Sequence, residues 1–245
     1  MNIAIIGHGK MGTAIEKIAS QKGHTISLIV NNKDFSAEDL SDSDVAIEFT
    51  QPSACTSNIK KCFAANIPVV VGTTGWYEHY DEIKEMALSN NQTMLTATNF
   101  SLGVNIFFKI NEIIAKWTNS LEGYTSKIHE VHHLQKLDSP SGTAITLAET
   151  IIKETNSLDD WQLIKNNEII NNKSLPITFS REENVKGIHE VQFENEIDSI
   201  QLRHTAKNRI GFASGAVKAS EWLVDKKGVF KLDEMIDEII KISND

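Results

Sequence analysis

Short apolar runs alternate with amphipathic stretches along the first hundred residues of the chain. The apolar runs predict β-strands at 2–7, 24–30, 45–50, 68–74 and 93–99. The stretches between them carry apolar residues at helical spacing and predict helices at 11–23, 53–65 and 77–89. Apolar strands separated by helices of this length are typical of βαβ units, in which helices cover both faces of a parallel sheet.

The pattern changes after Asn99. The elements predicted from there on are a long helix at 101–119, a strand at 124–133, a helix at 141–155, strands at 175–180, 189–197 and 198–206, and helices at 212–224 and 231–243. Successive strands without helices between them favour a mixed or antiparallel sheet. The polar, asparagine-rich stretch 156–173 predicts a surface excursion.

These two patterns together predict an α/β protein with two domains. Residues 1–100 and 210–245 are expected to form a discontinuous domain with a Rossmann-type parallel sheet, because the chain returns to helix after Arg209. Residues 101–209 are expected to form an α+β domain with a mixed sheet.

Composition excludes some classes of partner. The formal charge of −9 on 245 residues disfavours binding to nucleic acid or to an acidic membrane surface. No apolar run is long enough for a signal sequence or a membrane span, so a cytoplasmic protein is expected.

Cys55 and Cys62 lie two helical turns apart, too far for a disulfide.

A glycine cluster follows the first strand and begins the first helix. Gly7, Gly9 and Gly12 match G-x-G-x-x-G in the strand–turn–helix context that binds dinucleotides. The first glycine permits the tight turn, the second lets a pyrophosphate approach the backbone, and the third lets helix and strand pack closely. The cofactor contacts predicted here are Gly7, His8, Gly9, Lys10, Met11 and Gly12.

Other strand ends add candidate cofactor contacts, because ligands of open parallel sheets bind beyond the carboxyl ends of the strands. The second strand ends without an acidic residue: Asn31 could accept a ribose hydrogen bond and Lys33 could meet a 2′-phosphate, so NADH and NADPH both stay open. The remaining candidates are small or polar residues, namely Gly72, Thr73, Thr74, Ala97, Thr98, Asn99 and Phe100.

The run EVHHLQKLDSPSGTA, residues 130–144, brings two histidines and a lysine to one short segment. Alternation along a strand puts His132 and His133 on opposite faces, so they cannot be equivalent. The same alternation, and the lack of a nearby cysteine, argue against zinc, and no metal site is predicted.

The end of the run predicts a place for an anion. Ser141 is a good N-cap, and the N–H groups of Gly142 and Thr143 point outward at the start of the next helix. A cradle of this kind beside an imidazole and the Lys136 ammonium suits a site that holds an anion and delivers a proton.

The pattern E-x-H-H-x-x-K-x-D-x-P-S-G-T-A of this run resembles the signature of the dihydrodipicolinate reductases, also called 4-hydroxy-tetrahydrodipicolinate reductases. The resemblance covers most of the chain. Its other motifs are Met11-Gly12 of the glycine loop, Phe49-Thr50-x-Pro52, Gly72-Thr73-Thr74-Gly75, Asn99-Phe100-Ser101-x-Gly103-Val104-Asn105, Gly187-x-His189-Glu190-Val191-x-Phe193 and His204-x-Ala206-x-x-Arg209-x-x-Phe212-x-x-Gly215-Ala216.

The resemblance implies an NADH- or NADPH-dependent reduction of a cyclic, unsaturated imine with two carboxylates, in lysine and diaminopimelate biosynthesis. It implies that His132 is the catalytic acid/base, that Lys136 is the proton donor, and that the substrate is held by His133, Gly142 and Thr143. Arg209 is expected to contact cofactor or substrate. The family also implies that residues 101–209 bind the substrate and assemble a homotetramer. The strands at 189–206 are expected to offer an apolar face for this assembly, made of Val191, Phe193, Ile197, Ile200 and Leu202.

Two departures from the family pattern concern the cofactor. The glycine loop is one residue shorter than is usual and carries Lys10 where the family often has arginine, and the acidic residue common after the second strand is absent. Two other readings remain: another two-domain amino-acid dehydrogenase, and a dinucleotide-sensing binding protein. Neither explains why a histidine and a lysine stand together before the Ser-Gly-Thr turn.

Overall fold

The chain divides into two units. The structure, a computed structural model, describes residues 1–31, 34–121, 123–165, 169, 171–208 and 210–242. Met1–Asn105 and Ile210–Asp245 form one unit, and Ile106–Arg209 forms the other. The first unit is thus built from two separate stretches of sequence.

The secondary structure of the described residues follows the chain in this order. The strands are β1 (Asn2–Ile6), β2 (Thr25–Val30), β3 (Val45–Glu48), β4 (Val69–Val71), β5 (Thr93–Thr96), β6 (Thr125–His132), β7 (Asp160–Leu163), β8 (Ser174–Arg181), β9 (Ile188–Glu194), β10 (Ser199–Thr205) and β11 (Gly228–Lys231). The helices are α1 (Lys10–Gln21), α2 (Pro52–Ala64), α3 (Tyr80–Ser89), α4 (Leu102–Asn119), α5 (Gly142–Glu154), α6 (Ile210–Leu223) and α7 (Leu232–Ile242). The division between the two units falls inside α4.

The first unit contains a parallel sheet in the order β11-β5-β4-β3-β1-β2. Its inner strands are buried on both faces, which explains their continuous apolar sequences. One face packs against α1, α6 and α7 through residues such as Ile15, Ala216 and Met235. The other packs against α2 and α3 through Ile59 and Ile83. The predicted Rossmann-type sheet is confirmed.

The edge strand β11 of this sheet was not predicted from the sequence. The short strand β11 pairs in parallel with β5, and its sequence GVFK lies directly before α7. A four-residue segment has too little alternation to be recognised as a strand, and it becomes one only because β5 offers a free edge.

The second unit contains a five-stranded sheet in the order β10-β9-β6-β8-β7. β6 is antiparallel to β9 and parallel to β8, so the predicted mixed sheet is confirmed. One face packs on α4 and α5, where Phe107, Leu147 and Phe193 are buried together. The other face carries polar side chains, as in the ion pair of Lys127 with Glu194 at 2.8 Å.

Two expectations for this unit were wrong in part. The asparagine-rich stretch 156–173 is not entirely a surface excursion, because β7 pairs with β8 inside it. The strands at 189–206 were expected to offer an apolar face of Val191, Phe193, Ile197, Ile200 and Leu202 for assembly. Val191 and Phe193 are instead buried, and Leu202 packs against the same core. Only Ile197 and Ile200 of this set are exposed.

Every helix formed by the described residues is too short or too polar to cross a lipid bilayer.

Candidate active site

The glycine loop of the first unit has one open glycine between two crowded ones. Gly7 has a φ of +96°, and a Cβ there would lie 2.1 Å from the carbonyl oxygen of Phe49. A Cβ on Gly12 would lie 2.1 Å from the carbonyl oxygen of Gly7. Around Gly9, among the described residues, nothing lies within 4 Å of the same position. Gly7 and Gly12 therefore shape the turn, while Gly9 keeps its surface clear for a ligand.

The start of α1 is arranged to receive an anion. Gly9 is the N-cap, and no described side chain caps the helix. Its first N–H groups are thus available to a phosphate, and the helix dipole favours negative charge there. His8, beside it, forms an ion-pair contact with Glu16, whose oxygen lies 2.7 Å from Nε2.

A cleft of about 410 Å³ lies in front of this loop. Its walls are the ends of β1, β2 and β3 with the start of α2, and they include Gly7, His8, Gly9, Asn31, Thr50 and Asn58. The pyrophosphate and adenosine ribose of a dinucleotide fit such a cleft, because bare backbone meets the phosphates and an amide meets the ribose. The residues present are therefore suited to a dinucleotide.

The neighbouring strand ends are packed beside the cleft. The Oγ1 of Thr73 accepts the N–H of Thr50 at 2.8 Å. A Cβ on Gly72 would lie 2.1 Å from the Phe49 ring, which also contacts Phe100 at a centroid distance of 5.6 Å. Phe49 thus joins two of the predicted cofactor segments.

Most of the other predicted cofactor residues belong to the same unit but lie at different places in it. Ala97 and Met11 pack partly on the hydrophobic core, and Asn99 Oδ1 accepts the N–H of Ser101 at 2.9 Å. Lys10, Thr74 and Thr98 are exposed. Lys33 and Arg209 lie outside the described residues.

The candidate catalytic cluster of the second unit surrounds a buried carboxylate, that of Glu130. Its other members are His132, Arg181 and His189. Glu130 is fully buried on β6, two residues before His132 and on the same face of the strand. Both of its oxygens accept the N–H of Ser141, at 3.2 and 3.1 Å. Its Oε2 lies 3.7 Å from His132 Nδ1 and 3.7 Å from His189 Nε2.

His132 lies within this cluster. Its ring meets that of His189 edge-on at a centroid distance of 5.0 Å, and a Cβ on Gly187 would lie 3.3 Å from its Nε2. Burial lowers the pKa of His132 below its usual value; Glu130 opposes this shift and the Lys136 ammonium adds to it. The imidazole is therefore neutral at neutral pH.

The spacing of Glu130, His132 and His189 could also suit a metal ion, since their ligand atoms lie within 4.8 Å of one another. The carboxylate, however, already accepts the Ser141 N–H and faces the guanidinium of Arg181 at 3.9 Å. A positive charge is therefore already in place, and the absence of a metal site stays a prediction.

Lys136 lies on the loop that follows β6. Its Nζ donates a hydrogen bond to Asp138 Oδ2 at 2.6 Å. This bond holds the pKa of Asp138 below its usual value. His133, before the loop, is half-buried and lines a separate cleft with Gln135 and Lys186. The two adjacent histidines thus have different surroundings, as the alternation predicts.

The predicted cap of α5 is confirmed. Ser141 Oγ accepts the N–H of Ala144 at 3.2 Å and lies 3.1 Å from His189 Nε2. Because Glu130 holds the Ser141 N–H, the cap is fastened to the same carboxylate that faces His132. Gly142 is exposed at the first turn of the helix and Thr143 is half-buried. The imidazole and the helix N-terminus are therefore fixed relative to each other.

Models of known protein families match both the N-terminal part and the central and C-terminal part of the chain. The family described as "Dihydrodipicolinate reductase, N-terminus" matches residues 1–100, and "Dihydrodipicolinate reductase, C-terminus" matches residues 103–236. The chain belongs to the dihydrodipicolinate reductase family.

Relatives and solved structures of this family align with nearly the whole chain. A 4-hydroxy-tetrahydrodipicolinate reductase of Christiangramia forsetii is 46% identical over 98% of this chain and 100% of its own length. Another from Rickettsia rickettsii is 35% identical over 92% of this chain and 94% of its own. A dipicolinate-bound dihydrodipicolinate reductase from a Paenisporosarcina species has the same fold, with a TM-score of 0.81 at 24% identity over 96% of this chain and 98% of that one.

Sequence reasoning assigned no role to three members of the cluster: Glu130, Arg181 and His189. Glu130 had a usable signal, because a residue two positions before a candidate histidine shares its face of the strand. His189 appeared within a family motif, and Arg181 had no signal because it belongs to a strand some fifty positions away in the sequence. Register pairing places Arg181 opposite His132.

Acid is expected to destabilise the protein through His189. Burial, with the charges of His132 and His204 contributing, lowers its pKa to about 3, against about 6.5 for an unfolded histidine. The unfolded chain therefore binds more protons between these values, and the stability present above pH 6.5 is lost as the pH falls. Denaturant unfolding should show a loss on the order of 2 kcal/mol from this group between pH 6.5 and 5.

His189→Gln, which keeps a polar group near Ser141, should reduce this loss. His79→Gln provides the control, because His79 is half exposed in the first unit. An equal pH dependence in the wild type and His189→Gln would contradict the expectation.

Proposed function

We propose that this protein reduces 4-hydroxy-tetrahydrodipicolinate to tetrahydrodipicolinate with NADH or NADPH, in lysine and diaminopimelate biosynthesis. The observation that carries the proposal is the cluster of the second unit, in which Glu130 faces His132 and holds the capped start of α5. A neutral imidazole, an ammonium on the adjoining loop and an anion cradle are what a cyclic dicarboxylate and its protonation require.

The first unit is the dinucleotide-binding domain in this proposal, and a bound nicotinamide supplies the hydride. The loop Gly7–Gly12 holds the pyrophosphate, Asn31 accepts a hydrogen bond from the adenosine ribose, and Lys33 meets the 2′-phosphate when NADPH is bound. The segments Gly72–Thr74 and Ala97–Phe100 lie along the rest of the cofactor, and Arg209 contacts cofactor or substrate.

The second unit binds the substrate. The N–H groups of Gly142 and Thr143 hold one carboxylate, because they start a helix whose dipole favours an anion. His133 provides a further polar contact. Reduction of the 4-hydroxy substrate takes up a hydride and a proton and releases water, so the site must deliver a proton to a carbon that has gained negative charge.

Lys136 is the proton donor in this scheme. Its ammonium is held by Asp138 at 2.6 Å, which restricts a side chain that otherwise has many rotamers. His132 is neutral at neutral pH and accepts or relays the proton rather than supplying it first.

The proposal is tested by mixing the purified protein with NADH or NADPH and following the absorbance of the reduced nicotinamide. Absorbance should fall when the cyclic substrate is added. Oxidation of the reduced nicotinamide by an open-chain keto acid and ammonium instead would support another amino-acid dehydrogenase. Binding of the cofactor without turnover of any such substrate would support a dinucleotide-sensing protein.

Both reduced cofactors should support the reaction, with kcat/KM values within about tenfold of each other, or roughly 1.4 kcal/mol of discrimination. The physical reason is that Asn31 and Lys33 follow β2 where an acidic residue would repel a 2′-phosphate. Steady-state kinetics with each cofactor provide the measurement, and Lys33→Glu should shift the preference toward NADH. A thousandfold preference of the wild type for either cofactor would contradict this prediction.

The protein is proposed to be a cytoplasmic homotetramer that does not bind nucleic acid or membranes. Ile106, Ile110, Ile113 and Trp117 form an exposed apolar stripe on one face of α4, a feature typical of interfaces. Light scattering at micromolar concentration should give four times the monomer mass of 27.3 kDa. Ile113→Lys should shift the mass downward, whereas a monomeric wild type would exclude assembly.

A further inference from the structure

Arg181 is the last residue of β8 and lies opposite His132 in the sheet register. Its guanidinium donates to two main-chain carbonyl oxygens of the loop that follows β6. These are the oxygens of Lys136, at 3.2 Å, and of Asp138, at 2.8 Å. The guanidinium also donates to Ser139 Oγ at 2.5 Å. A single side chain thus holds three of the four positions of the loop 136–139.

The same guanidinium is fastened to the buried cluster. Nη1 donates to the carbonyl oxygen of Ser180 at 3.0 Å and lies 3.9 Å from Glu130 Oε1. The side chain is 16% exposed, and the guanidinium lies over the Phe179 ring. Arg181 therefore connects the loop to the carboxylate that faces His132.

The arrangement depends on the planar fork of arginine. Its several N–H groups point in fixed directions and can satisfy separate acceptors at once. A lysine ammonium is a compact point charge on a flexible stem and cannot span the same set of oxygens. A substitution that keeps only the positive charge would therefore preserve the contact with Glu130 but lose the hydrogen bonds to the loop 136–139.

We infer that Arg181 is a positioning residue that fixes the loop 136–139 so that Lys136 delivers its proton beside His132. The inference rests on the proposed function, in which Lys136 is the donor. Fixing the carbonyls of residues 136 and 138 places both the lysine and its partner Asp138. Proton transfer is sensitive to such placement, because the donor must lie within hydrogen-bond reach of the reacting atom.

The kinetic test compares Arg181→Lys, Arg181→Met and both changes combined with Lys136→Ala. Each single Arg181 variant should lower kcat at least about tenfold and leave the KM for the reduced dinucleotide unchanged. In the Lys136→Ala background the Arg181 changes should cause little further loss, because the group they position is gone. Arg203→Met is the matched control, since Arg203 is half exposed and pairs with Glu190 on the polar face of the sheet.

Hydrogen exchange provides a readout that does not depend on turnover. In Arg181→Lys, the amides of residues 134–139 should exchange faster while those of β6 keep wild-type protection. The lysine variant keeps a cation near Glu130, so it remains informative if the methionine variant does not fold.

The outcomes separate this inference from the proposed function. Full activity of Arg181→Lys, unchanged loop exchange, or losses that multiply in the double variants would each overturn the positioning role. Wild-type kcat in Lys136→Ala would overturn the donor assignment and the inference with it. A protein inactive with the cyclic substrate would reject the proposed function, while loop exchange would still report whether Arg181 holds the loop.

Discussion

Replacing Lys136 or His132 by alanine is expected to lower kcat about 100-fold or more. Hydride addition leaves negative charge on the substrate ring, and a positioned acid contributes typically about 100- to 10,000-fold to such a step. Lys136 is the proposed donor, and burial lowers the pKa of His132, which favours its neutral form. The KM for the reduced dinucleotide should change by less than about threefold, because neither residue belongs to the unit that holds the glycine loop.

Steady-state kinetics of folded variants, with each substrate varied in turn, provide the measurement. Thr143→Val is the companion variant: it keeps the backbone N–H of the α5 start and should mainly raise the KM for the cyclic substrate. If both alanine variants retain near wild-type kcat, the proton comes from another group and the roles proposed for Lys136 and His132 are wrong.

Gly12→Ala is expected to destabilise the first unit by about 1–3 kcal/mol and to abolish measurable dinucleotide binding. The new Cβ would lie 2.1 Å from the carbonyl oxygen of Gly7, so α1 or the loop must move. Either movement displaces the N–H groups that are proposed to hold the pyrophosphate. Thermal unfolding and a fluorescence titration with NADH measure the two effects separately.

Gly9→Ala is the matched control for this prediction. Nothing among the described residues lies within 4 Å of the Cβ position at Gly9, so the melting temperature should stay close to that of the wild type. Binding of NADH should nevertheless weaken about tenfold or more, because the methyl group occupies the approach of the pyrophosphate. Wild-type affinity in Gly9→Ala would show that the cofactor does not pass over this loop.

Local patterns determined much of the fold. The inner strands of the first sheet are buried on both faces, so their residues are mostly apolar. For this reason β1, β3 and β4 could be predicted from their runs of apolar residues. The glycine loop and the Ser141 cap are equally local, because each depends on the conformation of a few consecutive residues.

Elements that depend on a partner strand were not recognisable in the same way. β7 and β11 have four residues each, and their identity as strands depends on pairing with β8 and β5. The alternation at 189–206 was visible in the sequence. Which of its faces is covered was decided by where α4 and α5 pack.

The candidate site likewise combines features set by local sequence with features set by contacts between distant parts of the chain. The sequence by itself determined that His132, Lys136 and the Gly142–Thr143 turn lie within one short segment, since chain connectivity keeps them close. Only the tertiary structure decided that His189 approaches Glu130 and that Arg181, about fifty positions further on, holds the Lys136 loop. The physical reason is that strand register and burial set these contacts and the neutral state of His132, and neither is encoded in any single stretch of chain.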